Sequence, residues 1–125
     1  MEESKIQVIK DLQQTIGLTE NVAFALYQNN MELAQQNINI VIGLINRFYS
    51  HFITNGVKYL QEGEQMPVET LCAQMEDVND AVVNTDILKL ADALYYEIRE
   101  GLMYFMELLK RGQVQQNADS HGNNG

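Results

Sequence analysis

The chain of 125 residues carries a formal net charge of −9, with eight Lys and Arg against seventeen Asp and Glu, and 46% of its residues are apolar. That length is about one domain's worth, enough to bury a core without disulfides or a structural metal. The charge balance argues against a nucleic-acid partner, which needs clustered cations, and against an anionic membrane surface.

The single cysteine, Cys72, has no partner for an internal disulfide and fits a reducing compartment. The opening "MEESKIQVIK" lacks a basic stretch followed by a long apolar run, so no secretory signal is expected. No run of apolar residues reaches membrane-spanning length. The expectation is a cytoplasmic protein.

In chain order, the first helix is expected to start near Ser4, with Glu2 and Glu3 beside its positive end. Ile9, Leu12, Ile16, Thr19, Ala23 and Leu26 then recur at three- and four-residue steps. Gly17 weakens this helix by about 1 kcal/mol relative to Ala and allows a bend or break. "QNN" at 28–30 reads as an end and a restart, since Asn suits both C′ and N-cap positions.

The segment "NINIVIGLIN", 37–46, begins with strand-like alternation. It lies within a longer series, Ala34, Ile38, Val41, Ile45, Phe48 and Phe52, that steps by four and three. A seam of about five turns is helical, and a strand that long would be about three times the usual size. The spacing therefore predicts one continuous helix over 31–60. Its apolar surface is wide: Ile40, Ile42 and Leu44 lie off the main stripe, and no charge occurs between Glu32 and Arg47. An ordinary surface helix shows an apolar stripe of roughly 100° and a charged opposite face. Either neighbours within the bundle cover this surplus, or another chain or client helix does.

"EGEQMPVE", 62–69, is the clearest boundary, with Gly63 placed to cap the second helix and Pro67 to open the third. Val68, Leu71, Met75, Val78 and Val82 carry the next seam. Cys72, beside Leu71, is expected to be a buried, inert thiol. "NTD", 84–86, supplies a further break and cap. The last helix places Leu88, Ala91, Leu94 or Tyr95, Ile98, Leu102, Phe105 and Leu109 on one face, with Lys110 and Arg111 at its negative end. Gly112 is expected to end it, and the polar stretch 112–125 to form a disordered tail.

Four amphipathic helices with short links predict an all-α fold, an antiparallel up-down four-helix bundle over 1–111. A faint echo at an offset of 57 places Ala34, Val41, Ile45, Phe48 and Phe52 on Ala91, Ile98, Leu102, Phe105 and Leu109. Two duplicated hairpins would produce it, and so would any two well-formed amphipathic helices.

Residues that carry chemistry are sparse. The two histidines, His51 and His121, lie in no Glu-x-x-His or His-x-x-x-His pattern, and no Cys-x-x-Cys occurs. The paired Glu-x-x-His of di-iron bundles is therefore missing. No Gly-rich phosphate loop appears, and Cys72 has no evident base to activate it. No metal, no cofactor and no catalytic residue is expected.

Two patterns point to binding instead. Between Lys58 and Lys89 there is no basic residue, and Glu69, Glu76 and Asp80 fall on one side of the third helix at steps of seven and four. Such a row is either a solvated outer face or a docking surface for a Lys- or Arg-bearing peptide. Tyr95 and Tyr96, being adjacent, point about 100° apart, so one ring, expected to be Tyr96, lies near the surface or against another chain.

Leu90-Ala91-Asp92, Leu94 and Tyr96-Glu97-Ile98 resemble the Leu-Ala-Asp-x-Leu-x-Tyr-Glu-Leu pattern of a bacterial family of small all-helical cytoplasmic proteins without assigned activity. The chain departs from that pattern at Glu100, where a proline is expected, and lacks the tryptophan often found at the helix end. In size and helix order it is also similar to the flagellar export chaperones, an analogy of architecture that does not fix function. The expected function is a non-enzymatic protein–protein interaction module, an adaptor, regulator or export-type chaperone. It would bind an amphipathic partner segment through Ile40, Ile42, Leu44 and the Tyr95/Tyr96 edge, with Glu69, Glu76 and Asp80 steering a basic partner. The alternatives are a structural homodimer with no client and a small-ligand-binding or enzymatic bundle.

Overall fold

The computed structural model describes the backbone of residues 2–124 and the side chains of residues 4–111. The tail expected over 112–125 lies outside the described side chains. Four helices follow in order: α1 (Glu2–Tyr27), α2 (Met31–Asn55), α3 (Val68–Val83) and α4. The last starts as Ile87–Asp92, widens into a π turn at Ala93–Ile98 and resumes as Arg99–Asn124. The described residues contain no strand, and no helix among them is long and apolar enough to cross a membrane.

α1 runs unbroken through Gly17. Its two buried threonines satisfy themselves along the helix, with Thr15 Oγ1 donating to the Asp11 carbonyl and Thr19 Oγ1 to the Thr15 carbonyl, each at 2.7 Å. Thr19 therefore fills its place in the buried seam of Leu12, Ile16, Ala23 and Leu26 without an orphaned hydroxyl.

Both tight helix–helix corners use one device. At the first, the Asn30 amide donates to the Ala25 carbonyl and the Asn29 amide to the Leu26 carbonyl, with Asn29 left-handed at φ 58°. At the second, Asp86 donates to Ala81 and Thr85 to Val82, with Thr85 at φ 52°. This paired closure consumes the orphan carbonyls of the preceding helix. Asn30 and Asp86 then cap the following helices, accepting from the Leu33 and Lys89 amides at 3.3 and 3.1 Å. Thr85 is the costlier corner residue, because a β-branched side chain disfavours positive φ.

α2 ends earlier than its periodicity predicts. It stops at Asn55, and a 3₁₀ turn, Gly56–Tyr59, leads into the 60–67 loop. Gly63, at φ 85°, shapes that loop and is not the cap of α2. The loop is fastened to α4 by Arg111, whose guanidinium makes two hydrogen bonds to Glu64 at 2.7 and 3.1 Å.

The core forms where α2 and α4 face each other across the bundle. Phe52 stacks on Phe105 with ring centroids 4.2 Å apart, and Tyr49 meets Phe105 edge-on at 5.1 Å. The residues matched at an offset of 57 are all buried, and they are the core faces of these two helices. The π turn has a cause in the sequence. Leu90, Leu94, Ile98 and Leu102 are all buried yet separated by successive steps of four, which an α-helix would carry about 40° around its axis each time. Widening the helix absorbs that drift.

Four expected core positions are corrected. Leu88 is 63% exposed, because the face turned inward at the start of α4 runs through Leu90 and Ala91. Cys72 is exposed: it is one step, about 100°, beyond buried Leu71, and no neighbouring helix covers that side. Val68 and Val82, at the two ends of the α3 seam, are also exposed.

Candidate partner-binding groove

α1 packs along both α2 and α4, and α3 packs on the first half of α4, but α2 and α3 scarcely touch. The gap between them is an open groove of about 270 Å³. From α2 it is lined by Met31, Ala34, Ile38 and Ile42, and Ala81, Val82, Ile87 and Leu90 form the facing wall. Its polar edge consists of Gln35, Asn39, Thr85 and Asp86, with no cation. Ile38 and Ile42 pack on the core with one side and leave the other to the groove.

The proposed contact residues do not form one surface. Ile42 lines the groove, whereas Ile40, two residues away, projects about 200° from it around α2 and is 57% exposed. Half-buried Leu44 lies on the same flank as Ile40. Glu69, Glu76 and Asp80 are all exposed on α3, but Asp80 is two residues from the groove residue Val82 and therefore on the opposite side of that helix. Their row does not rim the groove.

Tyr95 and Tyr96 lie on the π turn, on the side of α4 that meets α1. Tyr96 is 66% exposed, and Tyr95 is half-buried. Tyr95 packs tilted against Phe24 at 5.4 Å, with the Arg99 guanidinium 5.2 Å from its ring centre. The Tyr27 hydroxyl donates to Asp92 beside them, and burial followed by that hydrogen bond drives the phenol pKa upward. These aromatic rings form a patch separate from the groove. Phe24 and Tyr27 belong to it, on a flank of α1 that helical spacing does not single out and that forms a patch only where α1 meets α4.

A polar cluster that spacing did not foretell fastens α3 to α4. The buried Tyr49 hydroxyl donates to Gln74 Oε1 at 2.7 Å and rests on Gly101, where a Cβ would overlap it and lie 2.9 Å from Cζ. On the adjoining turn Glu97 shares a hydrogen bond with Asp77. Burial, then that bond and the Asp77 charge, push the Glu97 carboxyl up to about 7, with Lys89 pulling the other way. Neither carboxylate lines the groove.

The chain matches no family model, no curated protein and no solved structure.

Proposed function

We propose that this protein is a non-enzymatic binding module whose α2–α3 groove receives the apolar face of an amphipathic partner helix. The groove itself carries the reading: aliphatic side chains from both walls stand open to solvent where α2 and α3 scarcely touch. Its volume of about 270 Å³ falls below the roughly 300–1,000 Å³ of small-molecule sites. It suits one or two anchoring side chains of a helix laid along α2, with Gln35 and Asn39 offering amides to the partner's polar edge. The left-handed Thr85 at the rim also supports the reading, since backbone strain concentrates at binding sites.

A photo-crosslinking residue at Gln35 in intact cells, followed by synthesis of the captured segment as a peptide, tests this. The peptide should bind the purified protein and weaken by about tenfold or more, roughly 1.4 kcal/mol, on Ile42→Glu. Ile40→Glu, on the far flank, should leave its affinity unchanged. A peptide that binds Ile42→Glu as well as the parent protein, with the helical spectrum intact, refutes the groove as the site.

A further inference from the structure

The flank of α2 that faces away from the groove has features of its own. Leu33, Gln36, Ile40, Gly43 and Arg47 follow each other at steps of three and four, with Leu44 beside them. This is a second helical stripe, offset from the buried one. Leu33 and Ile40 are large, apolar and exposed, and no neighbour among the described residues covers them. Gly43 is unexplained within the subunit, since a Cβ there would meet nothing within 4 Å, yet a mid-helix glycine costs about 1 kcal/mol relative to Ala.

The charges around the stripe identify what fits on it. In a chain of net charge −9, residues 33–46 carry no charge at all, so this is a face on which a second copy meets little repulsion. The stripe is bracketed by Glu32 and Arg47, both exposed, and neither has an ion-pair partner among the described residues. A copy laid antiparallel, with its two-fold axis near Asn39 and Ile40, brings Glu32 of each chain to Arg47 of the other. A parallel copy sets like charges together at both ends.

We infer that α2 pairs with α2 of a second copy of this chain, antiparallel, through Leu33, Ile40 and Leu44, with Gly43 permitting close approach and Glu32–Arg47 pairs closing both ends. The contact spans about four turns of one helix, which is small beside the roughly 1,200–2,000 Å² of stable interfaces, so the dimer is weak and concentration-dependent. It goes beyond the groove reading and does not rest on it, because the stripe and the groove lie on opposite flanks of α2.

Sedimentation equilibrium from low micromolar to near-millimolar protein tests the pairing. The parent chain should approach the dimer mass at the top of that range, and Ile40→Glu should remain monomeric with unchanged thermal unfolding at low concentration. Arg47→Glu alone should weaken association by setting acid against acid, and Glu32→Arg combined with Arg47→Glu should restore it. A parent chain that stays monomeric throughout overturns the inference. A dimer insensitive to Ile40→Glu, or one that the double charge exchange fails to restore, overturns it equally.

Discussion

Gly101 is the position at which the addition of one methyl group should cost most. A Cβ there overlaps the Tyr49 hydroxyl and lies 3.1 Å from Gln74 Oε1. Tyr49 has no room to yield, being fully buried, edge-on to Phe105 and hydrogen-bonded at 2.7 Å. Overpacking of this kind costs about 1–3 kcal/mol, and displacing the hydroxyl from Gln74 adds about 1 kcal/mol. Helix propensity returns about 1 kcal/mol on replacing Gly by Ala. Gly101→Ala should therefore lose about 2 kcal/mol net, or roughly 8 °C in Tm for a domain of this size. The assay is thermal and urea unfolding followed by circular dichroism, on Gly101→Ala, Tyr49→Phe and the double variant. Tyr49→Phe removes the overlapping atom, so it should cost less when Gly101→Ala is already present than it does alone. If Gly101→Ala is as stable as the parent, or the two effects simply add, close packing of these residues is refuted.

Three further outcomes follow from other sites. Gly17→Ala should stabilise the protein by up to about 1 kcal/mol in urea unfolding, because the added Cβ meets nothing within 4 Å. Glu97→Gln should change the pH profile: the Glu97 carboxyl titrates near 7 in the fold but near about 4.3 when unfolded. Its contribution is thus present at acid pH and lost as pH rises through about 7. The variant should match the parent near the bottom of that window and exceed its Tm above it, as read by thermal melts across pH. Cys72, exposed on α3, should react with a thiol reagent in native buffer as completely as in denaturant, in a colorimetric titration.

The helices themselves were legible because each repeats an apolar residue every third or fourth position for several turns. The Asn and Asp residues at 28–30 and 84–86 marked both corners, since their side chains do in the structure what their chemistry allows. Legibility failed where periodicity alone has no sense of depth. Leu71 and Cys72 are neighbours in sequence, and only the packing of α3 on α4 decides which is covered. Leu88 fits the seam arithmetically, but the π turn, itself a response to successive four-residue spacings, determines which phase of the helix points inward. Ile40, Ile42 and Leu44 are surplus to one seam by their spacing alone. That they divide between opposite flanks follows from their two-residue spacing, but which flank stays open depends on how little α3 touches α2. The Tyr49–Gln74–Gly101 contact joins three helices over long sequence distance, and no local pattern encodes it.

The widened turn of α4 also bears on how this helix tolerates changes in length. A π turn is an ordinary helix holding one residue too many, with the surplus confined to a single loop of backbone. Omitting Tyr96, whose ring is mostly in solvent, would let residues 93–98 rewind as plain α-helix while Leu90 and Phe105 kept their facings. The same omission two turns later would swing everything beyond it by about 100° and pull Phe105 off Phe52. In the midst of its most deeply packed helix, the chain thus carries a spare residue whose loss would regularise the coil.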